Sequence, residues 1–361
     1  MAVEEEMLLV DPSTGSPQGV ATAVLEAAKS GEESSPLEAE IQREQVEMGT
    51  EPCATSGELD DELRRWRRVA VGAGRGVGVE VAALATSPLR VDPHLSPTAR
   101  YERMLQQYGR IASNQLSCGC HVHVDVDSLE EGVGVLDRIG PWLPVLRALT
   151  ANSPFWHGED TGYASYRTTV WDRWPSAGPT GPFGSWGAYE QTTTAMLATG
   201  ALLDEGMIYF DARLSRSLST VELRVADVCL EVEDAVLFAA LARGLVSTAA
   251  RQWHDGEPAS STRQEVLALA HWRAARSGLR EQLVNPCSGR PAPADAVLNT
   301  LCEHVGPALT EAGDEELVRQ GCARLRERGT GSDIQLGVAR EHHGDLRAVV
   351  ADAVSRTSPR P

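Results

Sequence analysis

Lysine is almost missing from this 361-residue chain: Lys29 stands alone, and arginine carries nearly all of the positive charge. A Gly-Lys-Ser/Thr phosphate loop is therefore excluded, and the chain is a poor candidate for Schiff-base chemistry. Any phosphate must be held by arginine, backbone amides or metal. Positive charge is not in excess either. The formal charge of −18 repels a nucleic-acid backbone, and no basic run counters it locally, so nucleic acid is not an expected partner. Apolar runs are short: none approaches the roughly 18 residues needed to cross a bilayer, and no membrane span is expected. The chain starts Met1-Ala2-Val3-Glu4-Glu5-Glu6, acidic where a presequence would be basic, so cytoplasmic residence is the expectation. The seven cysteines are scattered and odd in number, which suits reduced thiols better than a disulfide framework.

What is present is a globular composition, with 42% hydrophobic residues. A single catalytic domain over residues 1–355 with a frayed tail at 356–361 is expected. Val3 to Val10 ends in an apolar run and a turn cluster at Asp11-Pro12-Ser13-Thr14-Gly15, which predicts a strand. Residues 20–30 suggest a short helix. Thr55 and Glu58 are spaced as a capping box before an amphipathic helix through Val69, broken by the glycines of 72–78. Residues 115–127 alternate cleanly, with His121, His123, Asp125 and Asp127 on one face and Cys120, Val122, Val124 and Val126 on the other. Two helices follow, the first capped at Asp127-Ser128 and reaching Pro141, the second from Trp142 to Thr150. The aromatic and glycine-rich stretch 153–190 suits an active-site wall or lid. Strands are expected at 207–214 and 220–228, joined by a turn at 215–219, and mostly helix from Val232 onward with a break at 285–294. The order of elements argues for α+β with an antiparallel sheet.

Several pieces carry chemistry, each open to a plainer explanation. Glu4 and Glu6 share a strand face while Glu5 points away; three glutamates at a chain start can equally be a solvated end. Glu40 and Glu47 lie seven apart, on one face of a helix at about 10.5 Å if the segment is helical, where solvent is the simpler partner. Cys118, Cys120, His121 and His123 have zinc-like residue types, but a strand divides the thiols from the imidazoles, which argues against zinc. The His pair suits a metal, a phosphate or ordinary hydrogen bonds. Glu222 and Arg224 share a face of the last strand, an arrangement that a plain salt bridge would also explain. Acids from several strands with a His pair and an arginine together make an oxygen-rich setting for Mg2+ or Mn2+, which would bridge nucleotide phosphates.

Val3-Glu4-Glu5-Glu6, Glu40 to Glu47 with Thr50, Arg100-Tyr101, Gly119-Cys120-His121-Val122-His123-Val124 and Thr220-Val221-Glu222-Leu223-Arg224 occur in the order seen in the glutamate–cysteine ligase type 2 family. The chain resembles that family from near its start to its C-terminal region. The resemblance implies an α+β fold with a curved, mostly antiparallel sheet forming a funnel-like site, akin to the catalytic sheets of glutamine synthetases and guanido kinases, with helices packed outside. It implies an ATP-dependent carboxylate–amine ligase that forms an amide through an acyl phosphate, with weak glutamate–cysteine ligase activity among its expected activities. By matching motif, Glu4, Glu6, Glu40, Glu47, His121 and Glu222 would hold Mg2+ (or Mn2+) with ATP, and Arg224 would stabilise the transferring phosphoryl group. Arg100 and Arg167 are candidates for gripping a substrate carboxylate, since a guanidinium fork matches it bidentately, with His123 as a further substrate-binding residue. Tyr163, Tyr166, Trp171 and Trp174 are candidates for lining the second-substrate pocket. The partners implied are small amino-acid and amine substrates, and a homodimer is compatible with an enzyme of this size.

The C-terminal region departs from the family pattern. Where relatives carry a Gln-Arg pair after a Gly-rich turn, this chain has Gln335-Leu336, with Arg340 as the nearest substitute. A catalytically silent relative that binds ATP or an amino acid, and a metal-dependent hydrolase, are the competing functions.

Overall fold

Alternating side chains at the start of the chain build a strand inside the main sheet. In the computed structural model, which describes residues 1–29, 37–215 and 218–358, β1 (Ala2–Val10) is followed by α1 (Ala21–Lys29), β2 (Leu37–Ala39) and β3 (Gln45–Gly49). Next come α2 (Ser56–Gly76), β4 (Glu80–Ala82), α3 (Ala99–Tyr108), the one-turn α4 (Arg110–Ser113) and β5 (Gly119–Asp125). The middle of the chain forms α5 (Leu129–Ile139), α6 (Leu143–Leu149), the small hairpin β6 (Phe155–Trp156) and β7 (Glu159–Asp160), α7 (Tyr166–Trp171) and α8 (Trp186–Ala198). Then β8 (Ala212–Leu214) and β9 (Thr220–Asp227) lead into α9 (Val232–His254) and α10 (Gln264–Ser277). A second hairpin, β10 (Gln282–Val284) and β11 (Pro291–Pro293), precedes α11 (Ala294–Ala312), α12 (Glu315–Arg328), α13 (Gly331–Glu341) and α14 (Leu346–Thr357).

Among the described residues the main sheet has seven strands in the order β2-β3-β1-β5-β9-β8, with β4 on the C-terminal end of β1. Every pairing is antiparallel, so the α+β class expected from the sequence is the one that forms. The two faces of β1 have different tasks. Glu5 turns toward the helices and accepts two hydrogen bonds from Arg67 of α2, at 2.8 and 2.6 Å. Both side chains are fully buried, and Arg67 also donates to the carbonyls of Cys229 and Leu230 just before α9. A buried ion pair of this kind needs its remaining donors satisfied, which these carbonyls do. It ties β1, α2 and α9 together behind the sheet. Glu4 and Glu6 are left on the opposite face, which the helices α2 and α9 do not cover.

Some expectations fail for identifiable reasons. Residues 40–47 are not helical: Glu40 follows β2, and Glu47 lies within β3, where pairing with β1 overrides helix-like spacing. The capping box does form, with Glu58 N–H donating to Thr55 Oγ1 at 3.1 Å, but α2 continues through the glycines to Gly76. A Cβ on Gly74 would stand 3.1 Å from Val81 Cγ2 and 3.2 Å from Val79 O, so that glycine serves close packing and not a break. The first strand of the late hairpin is only Ala212–Leu214, and of its turn Arg216 and Ser217 lie outside the described residues. The last helix includes Arg356, paired with Glu231 at 2.7 Å, and the buried Thr357, whose hydroxyl accepts from Ala83 N–H at 2.7 Å. Residues 356 and 357 are therefore not frayed, while 359–361 lie outside the described residues. No helix among the described residues is long and apolar enough to cross a membrane.

Candidate active site

Strand register brings the acids together. Glu6 stands across from Glu47 in the β1–β3 pairing, and Glu4 across from His121 in the β1–β5 pairing. Glu40 joins them from the segment after β2. Oxygens of Glu6, Glu40 and Glu47 lie within 4.8 Å of one another; the same holds for ligand atoms of Glu4, Glu47 and His121, and of Glu4, His123 and Glu222. A cavity of about 250 Å3 opens over Glu4, Glu6, Glu40, Glu47 and His121, walled on the other sides by Arg100, Tyr101, Trp171, Trp174, Tyr209 and Arg224.

Carboxylates this close raise one another's proton affinity. Burial, with the charge of Glu40 added, pushes Glu6 up to about 7. Glu47 is raised well above its usual range by burial and by Glu40, Glu6 and Glu4. Glu4 goes the other way: burial pushes it up, but hydrogen bonds from His121 and His123 win and hold it low. Burial and the nearby Arg224 push His121 down to about 4, so its ring is neutral at pH 7. Its Nδ1 lies 3.2 Å from Glu4 Oε2, while its Nε2 is buried without a hydrogen-bond partner among the described residues. Crowded acids of raised proton affinity beside a neutral imidazole with an orphaned nitrogen are the donor set a hard divalent cation takes, and the residues fit that group.

The arginines are set by β9. Between β5 and β9 the register shifts, so that Arg224 and Val225 together oppose His121. A bulge of this kind re-aims a side chain next to a site. Arg224 donates to Glu222, and its guanidinium lies 5.5 Å from the Trp171 ring centre and 6.0 Å from that of Tyr209. Arg213, directly across from Glu222 in β8, grips the same carboxylate at 2.6 and 3.2 Å and donates to the carbonyl of Ile208 at 2.8 Å. Burial opposes charge on Glu222, but Arg224 and Arg213 prevail and hold it at about 2. Glu222 thus anchors two arginines as well as joining the group with Glu4 and His123.

The other named residues are distributed unevenly. Arg100 lines the cavity, but its fork is engaged by Asp204 at 3.0 and 3.2 Å. His123 sits between Glu4, 3.3 Å away, and Thr220 Oγ1, 3.0 Å away, and so belongs with the metal-capable set more than with a substrate wall. Arg167 is 2% exposed, with an Nε that has no hydrogen-bond partner among the described residues, and it does not line the cavity. It lies against β5 where Gly119 leaves room: a Cβ there would stand 2.9 Å from Arg167 Cζ and 3.0 Å from His121 Nε2. The Gly119 N–H also donates to Glu6 at 2.7 Å. Gly119→Ala is therefore expected to displace Arg167 and His121 together, lowering the turnover of any reaction at this site about 100-fold with little change in far-ultraviolet circular dichroism. Turnover within threefold of the parent would remove Gly119 from the site's support.

Trp171 and Trp174 line the cavity as expected, but Tyr163 and Tyr166 do not; they pack on each other and near Trp156. Gln335 donates to Asn152 at 2.9 and 2.7 Å, Leu336 packs with Phe155 and Val349, and Arg340 is exposed, so none of them lines the carboxylate cavity. Arg213, Tyr209, Gln45, Gln115 and Ser117 line the cavity without having been singled out. Gln45 carried a signal, because it shares a strand face with Glu47.

The sequence profile of glutamate–cysteine ligase family 2 matches residues 1–352. The chain belongs to that family. Membership makes it an enzyme of the carbon–nitrogen ligase class. A protein of Streptomyces coelicolor provisionally named glutamate–cysteine ligase 2 is 51% identical over 99% of this chain and 98% of its own length. One of the same provisional name from Rhodopirellula baltica is 39% identical over 99% of this chain and 97% of its own. Among solved structures, the glutamate–cysteine ligase of Francisella tularensis in complex with AMP superposes with a TM-score of 0.69 at 13% identity, covering 99% of this chain and 87% of that one. The ligase PafA, solved in complex with the prokaryotic ubiquitin-like protein Pup, gives 0.55 at 11% identity, covering 98% and 72%. At such identities the likeness is one of fold.

Proposed function

We propose that this family member is an ATP-dependent carboxylate–amine ligase that activates a small amino-acid carboxylate as an acyl phosphate and passes the acyl group to an amine. The observation that carries the proposal is the convergence of Glu4, Glu6, Glu40, Glu47 and His121 on one cavity that Arg224 also lines. These five residues, with Glu222 and His123 behind them, would hold Mg2+ or Mn2+. A bound ion supplies positive charge that neutralises nucleotide phosphates. The Francisella tularensis enzyme, crystallised with AMP, supports a nucleotide in this fold.

Arg224 would stabilise the phosphoryl group in transfer, because its guanidinium is fixed by Glu222 beneath and by aromatic rings beside it. Trp171, Trp174 and Tyr209 restrict water at that wall, which protects an acyl phosphate from hydrolysis. Arg167, buried beside Gly119 behind the cavity lining, would have to be reached through that wall to serve an anionic substrate group. Arg100 would have to leave Asp204 to serve one. Glutamate is the acyl donor that the family name favours, and residues 1–355 would act as one catalytic domain.

Hydroxylamine trapping tests this. Incubation with ATP, Mg2+, glutamate and hydroxylamine should yield a glutamyl hydroxamate, seen by mass, and none without ATP. ADP formation in a complete donor screen with no hydroxamate would exclude the acyl phosphate.

A further inference from the structure

We propose that Cys302 and Cys322 form a modifiable dithiol, which closes to an intramolecular disulfide by exchange with a small soluble disulfide admitted through the cavity between α11 and α12. The two Sγ atoms lie 3.7 Å apart, one on each of two adjacent helices joined by a short turn. They must approach to about 2.05 Å, a movement within the reach of side-chain rotation and a small helix shift. A cavity of about 340 Å3 is lined by both cysteines together with Gly306, Leu309, Val318 and Arg326. Cys302 is half-buried and Cys322 buried, so the cavity is their route to solvent.

The arrangement separates this pair from the other cysteines. Cys120 and Cys229 are also in hydrogen-bonding contact, but they sit in the core at 0% and 2% exposure. Cys287 is exposed. The hydrogen bond from Cys302 holds the Cys322 thiol below its usual range against burial, with Arg326 and Arg324 assisting. That direction, together with its place in the cavity lining, makes Cys322 the attacking thiolate. It attacks one sulfur of the small disulfide, whose S–S bond breaks to release one small thiolate. Cys302 then gives up its proton and attacks the Cys322 sulfur of the mixed disulfide, expelling the second thiolate. Two protein thiols are oxidised, one small disulfide is reduced to two thiols, and these take up the two protons.

The test uses the full chain with oxidised glutathione, alkylation and peptide mapping. The expected product joins the peptides of Cys302 and Cys322, raises the melting temperature by about 5 °C because the closed loop restrains the unfolded chain, and reverts with dithiothreitol. Cys302→Ser should stop at a glutathione adduct with no rise in melting temperature. Exposed Cys287 serves as the control for reagent access. If Cys287 is modified while Cys302 and Cys322 both stay open to alkylation, the proposal is wrong. The pair stands outside the carboxylate cavity, so Cys302→Ser should retain parental ATP turnover, and failure here leaves the ligase proposal untouched.

Discussion

The Arg224→Lys variant is expected to fold and to lose about three orders of magnitude in ATP turnover. The reason lies in shape more than charge. Arg224 reaches Glu222 with one nitrogen while its planar group rests beside Trp171 and Tyr209, an arrangement that leaves donors for a second partner. Lysine keeps the charge and the pairing with Glu222 but has no fork, and its ammonium cannot hold a carboxylate and a phosphoryl oxygen in one plane. The loss should fall on kcat, since the interaction is needed most in the transition state. Steady-state kinetics with a thermal melt decide it: a rate within tenfold of the parent would reduce Arg224 to a salt-bridge partner.

Glu6→Gln is expected to abolish about 99.9% of turnover and yet to stabilise the metal-free protein above pH 7. Glu6 is pushed up to about 7 by burial and then by Glu40, against 4.5 for the same group in an ordinary setting. The unfolded chain therefore releases this proton first as pH rises. Stability falls through the window from 4.5 to about 7, and the full penalty, about 3 kcal/mol, applies above it. Glutamine keeps an oxygen for the Gly119 N–H and removes the charge. Melting temperature should rise by about 5 °C at pH 8 and not at pH 4.5. A melting temperature that falls equally at both pH values would show that Glu6 stabilises the fold and is not strained by its neighbours. Loss of activity with gain of stability is the pattern of a site built for a ligand.

The parts legible in the sequence were those with a local signal. Alternation in β5 and β9 put His121, Glu222 and Arg224 on definite faces; β1 alternates poorly, and Glu4 and Glu6 were placed on one face by their two-residue spacing once a strand was read from its apolar end and turn, and the structure keeps all five there. Glu40 and Glu47 were named through the resemblance, but their segment has no alternation, and only the pairing of β3 with β1 makes it extended. The partners of the arginines were hidden for another reason. Asp204 lies 104 residues from Arg100, and Arg213 meets Glu222 across a turn that gave no chemical cue. The missing arginine at 336 looked like damage to the site, yet Leu336 faces Phe155 and Val349, outside the carboxylate cavity. Sequence shows which residue is absent, while packing decides whether that position served the site.

The most direct measurement is ADP release by the purified chain with ATP and Mg2+, glutamate, and a panel of amines that includes cysteine, with the products weighed by mass spectrometry. ADP released only when both a carboxylate and an amine are present, with one amide formed per ADP, is the predicted result. Magnesium-dependent ATP binding with no amide from any pair would contradict it and leave a nucleotide-binding relative without ligase activity.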